Sequence, residues 1–244
     1  MENITITEWN GFECEEFHFD GFPAKVIKPH KKINNPPLVI KTEYFGAFPE
    51  TEIALLNEGF YLAFIKNKNR WGTDEDINRK AEFIKFVCEK YTLSGKCVPV
   101  GMSCGGIFAI KLAAKYPKLV SCIYIDAPVI NYFSCPCGFG KSESFNPDHR
   151  EILDALGLTL PQLLAYRDMP LDHLDKIIEN SIPVIMVAGD SDSIVPYDEN
   201  GIFVEKLYKD KEFFKVFIKK GCDHHPHGLE DVTPVVEFIK KYSL

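Results

Sequence analysis

Three clusters of polar residues, far apart in the chain, have the types and spacing that acyl transfer needs. The first is Gly101-Met102-Ser103-Cys104-Gly105-Gly106, directly after an apolar run at Cys97–Met102 and directly before a helix-forming stretch at 104–116. A serine raised on a sharp strand-to-helix turn needs small residues two places to either side, because strand and helix nearly collide there. Gly101 and Gly105 supply that room, and Gly106 lets the helix pack close. Ser103 is therefore the expected nucleophile. Cys104 is its rival, since a thiol is intrinsically the better nucleophile. A nucleophile at 104 would be flanked by Met102 and Gly106, however, and methionine is too bulky for the close approach. In this register Cys104 gives its backbone N–H to an oxyanion hole.

The second cluster, Gly189-Asp190-Ser191-Asp192-Ser193-Ile194-Val195-Pro196, follows an apolar run at 182–188. A carboxylate just beyond a strand end can reach a histidine presented by the next loop, and both Asp190 and Asp192 lie in range. Asp126, at the end of the run 120–126, is a further candidate for the acid and otherwise a pocket residue. The third cluster is Gly221-Cys222-Asp223-His224-His225-Pro226-His227-Gly228-Leu229, which holds three of the chain's 7 histidines. Histidine, with an ordinary pKa near 6.5, can take a serine proton and return it to the leaving group. His224, three residues after Gly221, is the first choice for the base. His225 and His227 are read as pocket-lining or loop-bracing residues, with surface or capping roles as the alternative.

Three histidines beside Cys222 and Asp223 also raise a metal reading. A catalytic zinc site wants three ligands on rigid elements, whereas His-His-Pro-His is no helical pair and proline forbids a helix there. A complete Ser-Asp-His set makes metal unnecessary, so no metal and no cofactor are expected. A second oxyanion donor should come from the loop Thr42-Glu43-Tyr44-Phe45-Gly46-Ala47-Phe48, where counting from the preceding strand selects Tyr44. Losing one such donor costs roughly 3 kcal/mol of transition-state stabilisation. The aromatic residues of this loop, Phe45 among them, are expected to form a pocket wall.

The elements that must position these loops alternate. Short apolar runs at 13–19, 23–28, 38–41, 60–65, 97–102, 120–126, 182–188 and 213–218 read as eight strands, with a tight connection at Phe22-Pro23. Helical periodicity appears near 50–58, 75–91, 104–116, 198–209 and 230–241. Such alternation argues for a mostly parallel sheet with helices on both faces. Residues 128–180 interrupt it with Pro, Gly, Ser and Cys and two short helices near 148–156 and 160–167. An insertion of this length is expected to be a small lid over an active site. One domain over residues 1–244 is the expected organisation.

Composition narrows the function classes. Of 244 residues, 45% are hydrophobic and 26% charged, with a formal net charge of −7. Lysines and acids are interspersed, which leaves no basic footprint for nucleic acid or for an acidic membrane. No apolar stretch reaches spanning length, and the start MENITITEWNGFECEEF has neither the basic nor the apolar region of a secretory signal. A cytoplasmic protein is expected, its 8 cysteines reduced. Cys135-Pro136-Cys137 has neither redox nor zinc spacing. No Gly-x-Gly-x-x-Gly follows the early strands, which argues against a dinucleotide-binding dehydrogenase.

The order Ser, Asp, His, the Gly-x-x-Asp-x-x-Val-Pro turn and the histidine loop resemble the α/β-hydrolase superfamily from about residue 13 onward. The spacing of that turn in the superfamily selects Asp192 as the acid and makes Asp190 a turn-maker. More narrowly, TEYFGAFPETEIALLNEGF, GMSCGGIFAIKLAAKYP, YIDAPV and DVTPVVEFI are similar to a bacterial group of small esterase- or peptidase-like hydrolases. The resemblance implies Ser103, Asp192 and His224 as a triad, with Cys104 and Tyr44 as oxyanion donors. Many members of the superfamily have histidine-glycine after the third strand where this chain has Thr42-Glu43. The expected function is a serine hydrolase working through an acyl-serine, a carboxylesterase on a small polar ester such as an O-acetylated sugar. Glu43, Arg70, Asp126, Arg150 and the spare histidines are the charged pocket candidates. Alternatives are a small-peptide or amide hydrolase and, from a different class, a noncatalytic binding module. The expected partner is a small-molecule substrate, and a homo-oligomer is left open.

Overall fold

Nine strands form one sheet in a computed structural model that describes residues 4–144 and 146–244. They are β1 (Thr5–Trp9), β2 (Phe12–Phe19), β3 (Phe22–Ile27), β4 (Leu38–Lys41), β5 (Tyr61–Ile65), β6 (Cys97–Met102), β7 (Ile123–Asp126), β8 (Val184–Gly189) and β9 (Phe214–Lys219), in the order β1-β2-β3-β5-β4-β6-β7-β8-β9. The pairs β1–β2, β2–β3 and β3–β5 are antiparallel and every later pair is parallel.

The strand count of eight is corrected by β1. This strand is an exposed edge whose residues TITEW bury no face, so it lacks the apolar signal that marks the others. Its turn is nevertheless written in the sequence: Asn10-Gly11, with φ of 49° and 84°, is the pair that two-residue hairpins favour. Asp20-Gly21 makes the second hairpin in the same way, with φ of 51° and 77°. Phe22-Pro23, expected as the connection, lies instead inside β3.

The helices are α1 (Glu50–Asn57), α2 (Asp74–Lys90), α3 (Gly105–Lys115), α4 (Asn146–Leu156), α5 (Leu160–Leu164), α6 (Leu174–Glu179), α7 (Gly201–Leu207) and α8 (Thr233–Ser243). Strand side chains alternate between two cores. Ile40, Ile123, Ile125 and Met186 pack with Ile84 of α2, Ile110 of α3 and Val204 of α7. Val39, Tyr124, Ile185 and Val187 pack with Leu55 of α1 and Ile239 of α8. Burial on both faces explains why the central strands read as continuous apolar runs.

Within 128–180, α6 lies against α3 and α7 and so completes a helical layer, which leaves the earlier part of the stretch to cover the sheet's carboxyl edge. That earlier part is tied down. Asn200 Oδ1 accepts the backbone N–H groups of Ile130 and Asn131 at 3.0 Å each. Ser142 donates to Ile194 O at 2.6 Å, and Glu143 N–H donates to Ser193 O at 2.7 Å.

Candidate active site

Ser103 stands on the turn between β6 and α3 with φ of 51°, a left-handed conformation that costs a non-glycine residue about 1–3 kcal/mol. Its surroundings hold it there. Ser103 N–H donates to Asp126 O at 2.9 Å, while its carbonyl accepts Gly106 N–H and Val129 N–H at 3.0 Å each. The flanking glycines are sterically required, since a Cβ on Gly101 would lie 2.4 Å from Gly105 O, and one on Gly106 would lie 2.5 Å from Pro128 Cβ.

His224 Nε2 lies 3.1 Å from Ser103 Oγ, and His224 Nδ1 lies 2.8 Å from Asp192 Oδ2. The other oxygen of Asp192 accepts the N–H groups of Ile194 at 3.0 Å and Val195 at 2.7 Å. Asp192 and His224 are both buried, and burial strengthens the pairing by excluding competing water. Asp190 has a different task. Its Oδ1 accepts Gly221 N–H at 2.7 Å, tying the acid turn to the histidine loop. Asp223 completes the clasp by accepting Ser193 N–H at 2.8 Å and His224 N–H at 2.7 Å. Those two backbone hydrogen bonds hold its carboxyl below the ordinary value. The two loops meet at Gly189, where a Cβ would fall 2.2 Å from Cys222 O.

Cys104 is buried, and desolvation pushes its thiol up to about 11. That shift disfavours the thiolate at neutral pH. Its residue caps the amino end of α3, where the helix dipole favours negative charge. Tyr44 adopts φ of 53°, and its N–H makes a long 3.3 Å contact with Glu43 Oε1. Asn67 Nδ2 holds the other oxygen of Glu43 at 2.5 Å. The Tyr44 phenol sits beside Cys104 and Arg70, with burial raising it far above its ordinary value.

A cavity of about 390 Å³ opens over Ser103, with Tyr44, Phe48, Trp71, Cys135 and Asp148 in its walls. His225 reaches it, its pKa lowered first by burial and then by the neighbouring imidazoles. Two expected wall residues do not. Phe45 packs on Trp9 at 5.3 Å and Phe64 at 5.2 Å, on the other side of its loop. Phe48 faces the cavity instead, stacked on His225 at 5.7 Å. Asp126 is 1% exposed, with Oδ1 paired to His227 Nδ1 at 2.7 Å and Oδ2 accepting Gly228 N–H at 2.7 Å and the Tyr124 hydroxyl at 3.1 Å. It braces the histidine loop from beneath and is not free to meet substrate.

Arg70 lines the same cavity. Its guanidinium holds Asp148 at 2.5 Å and Glu151 at 2.7 Å, both on α4, and lies 5.0 Å over the Trp71 ring. Arg150 is exposed and lines no part of this cavity. Trp71, Cys135 and Ile194 line the cavity without having been expected there. Trp71 had a signal, since it follows the carboxyl end of a central strand, where open α/β sheets place their sites. Cys135 had none. All eight cysteines are unpaired. For metal, the described residues offer one group, His224, His225 and His227.

Beneath the Tyr44 loop lies a buried ion pair. Lys41 Nζ contacts Glu52 Oε1 at 2.5 Å and donates to Ala47 O at 3.3 Å, fixing the loop's far end, while Glu52 Oε2 is left unpartnered.

Residues 58–243 match the prolyl oligopeptidase family. The chain belongs to that family. Its members are serine hydrolases of the α/β-hydrolase superfamily, and the elbow, acid turn and histidine loop all fall within the matched span. Among curated proteins no sequence matches. Among solved structures the fold is similar to the acylaminoacyl peptidase of Pyrococcus horikoshii (TM-score 0.71, 13% identity), covering 100% of this chain and 41% of that one. It is similar also to a puromycin hydrolase (TM-score 0.68, 17% identity), covering 98% of this chain and 38% of that one. Est1E from Butyrivibrio proteoclasticus matches over 98% of both chains (TM-score 0.64, 18% identity). The chain thus spans about 38–41% of the length of those two peptidase and hydrolase structures and nearly all of Est1E. At these identities the likeness establishes the fold. Among the described residues no helix is long and apolar enough to cross a membrane.

Proposed function

We propose that this member of the prolyl oligopeptidase family hydrolyses small polar esters through an acyl-serine intermediate, with Ser103 as nucleophile, His224 as base and Asp192 as the group that orients it. The observation that carries the reading is the row of contacts from Ser103 Oγ to His224 Nε2 at 3.1 Å and from His224 Nδ1 to Asp192 at 2.8 Å. Asp192 keeps the Nδ1 proton in place, so Nε2 bears the lone pair that takes the serine proton as Oγ attacks the carbonyl carbon. The imidazolium then protonates the leaving oxygen. Water repeats the cycle and frees the acyl group as a carboxylic acid.

The oxyanion in this scheme is received by the N–H of Cys104 and by that of Tyr44, whose 3.3 Å contact to Glu43 is weak enough to exchange. The cavity of about 390 Å³ suits a small acyl group, and Arg70 with Asp148 gives its wall a polar side. These features favour a polar substrate, with an O-acetylated sugar as the leading candidate.

A second reading, hydrolysis of a small peptide or amide, is favoured by the acidic side chains near the site. Asp148 and Glu151 share the single Arg70 guanidinium, and the carboxylate in excess would attract a substrate amine. Paired assays separate the two: acetylated sugars against aminoacyl amides of matched size. Turnover of the esters with no release from the amides supports the first reading, and the reverse result replaces it with the second.

A further inference from the structure

The histidine loop packs three imidazoles together in a way that the serine chemistry does not call for. The ring centroids of His224, His225 and His227 lie 4.9 Å apart in each of the three pairs, with interplanar angles of 65°, 79° and 89°. Each ring offers one nitrogen such that the three atoms lie within 4.8 Å of one another. Two of the rings are oriented from behind by buried carboxylates. Asp192 holds His224 Nδ1 at 2.8 Å, and Asp126 holds His227 Nδ1 at 2.7 Å. Both rings are thereby left with Nε2 as the nitrogen that bears a lone pair. A carboxylate behind the ring is also how metal-binding histidines are fixed in tautomer and direction. His225 lies on the exposed side of the loop against Phe48, where its side chain can turn.

We propose that His224, His225 and His227 bind one divalent transition-metal ion of the Zn²⁺ class, and that the bound ion switches the hydrolase off. Three imidazole nitrogens suit Zn²⁺, Cu²⁺ or Ni²⁺ and not Mg²⁺ or Ca²⁺, which take oxygen ligands. Zn–N bonds of about 2.0–2.1 Å in a tetrahedral site put the nitrogens about 3.4 Å apart. A rotation of the exposed His225 and small shifts of the other two rings close the difference, and water fills the fourth position. The ion occupies the lone pair of His224 Nε2, the atom that now meets the Ser103 hydroxyl at 3.1 Å. A coordinated imidazole cannot take the serine proton, so the site inhibits and plays no part in turnover. Binding stands on the three rings alone. Only the inhibition rests on the proposed triad.

The test titrates metal-free protein with zinc chloride by calorimetry at neutral pH. The wild type is expected to bind one ion, and His225→Ala and His227→Gln to weaken binding by roughly tenfold or more. His18→Ala, on an exposed part of β2, should leave the isotherm unchanged. Labelling of Ser103 by a fluorophosphonate is then expected to fall with equimolar zinc and to return with EDTA, while His225→Ala keeps its own zinc-free labelling rate at the zinc concentration that blocks the wild type. No binding by the wild type, or binding unchanged in His225→Ala, overturns the site. Binding with undiminished labelling overturns the inhibition. If the metal-free protein is never labelled but the zinc isotherm stands, the triad reading fails and the metal site survives. His225 is exposed, so its variant carries the test even where His227→Gln fails to fold.

Discussion

At the scale of single residues, neighbours of the same type do different work. Asp192 and Asp190 are two positions apart, yet one holds the His224 ring and the other ties Gly221 into the loop. Asp192→Asn is expected to lower kcat about ten-thousandfold, because the amide stabilises the wrong histidine tautomer. Asp190→Asn should lower it far less and act mainly on thermal stability. Steady-state kinetics and melting curves of the two variants check the ranking, and a larger kinetic loss at 190 would exchange their roles. Gly101→Ala makes a separate point. Its Cβ would meet the backbone of Gly105 at 2.4 Å, and no side-chain movement relieves a clash with backbone. Loss of soluble, folded protein is expected, whereas normal expression and melting would show that the elbow is looser than the structure has it. The placement of Ser103, Asp192 and His224 was legible beforehand: each follows a strand end, and the small residues flanking Ser103 record the steric demand of the turn. The wall residues were not legible, because strand counting locates a loop but not which of its side chains turns inward. Phe45 and Phe48 are interchangeable on paper and face opposite ways in the fold.

At the scale of elements, two ion-pair systems hold the pieces together. The Lys41–Glu52 pair joins the end of β4 to α1 beneath the Tyr44 loop, with both side chains buried. Removing one partner strands the other charge, at a cost of about 3–5 kcal/mol. Lys41→Met alone is expected to destabilise by that amount, and Lys41→Met with Glu52→Leu to recover most of it. Denaturant titration measures both, and a double variant no better than the single would mean that the pair does more than balance charge. The second system clamps β2 to the end of α2. Burial raises the Glu15 carboxyl, but hydrogen bonds from Lys28, Lys90 and Tyr91 outweigh it and bring the pKa down to about 2 from the ordinary 4.5. A carboxylate depressed in this way adds stability that is complete above pH 4.5 and fades as the pH falls toward about 2. Glu15→Gln should therefore melt lower than the wild type at neutral pH, with the gap narrowing below pH 4.5. A gap independent of pH would point to lost packing alone. The elements themselves were legible where burial leaves an apolar record, as in β5 and β8. The strand β1 was not, because an exposed edge needs no such pattern and only Asn10-Gly11 announced its hairpin.

At the scale of the whole molecule, the sheet order brings the ends of β4, β6, β8 and β9 to one edge, and the stretch after β7 folds over them. The alternation of apolar runs with amphipathic helices was enough to anticipate this layout, since parallel strands need crossovers. The way the covering segment closes was not foreseeable. It depends on Arg70 reaching Asp148 and Glu151 across about eighty positions of sequence, and no local pattern marks such a pair. In the proposed chemistry three remote loops act as one device. Mass-spectrometric mapping of a fluorophosphonate adduct tests it most directly, on the wild type, Ser103→Ala and His224→Ala. One adduct on the Ser103 peptide, absent from Ser103→Ala and formed far more slowly in His224→Ala, is the predicted result. An adduct on Cys104, or undiminished labelling without Ser103 or without His224, would contradict the account.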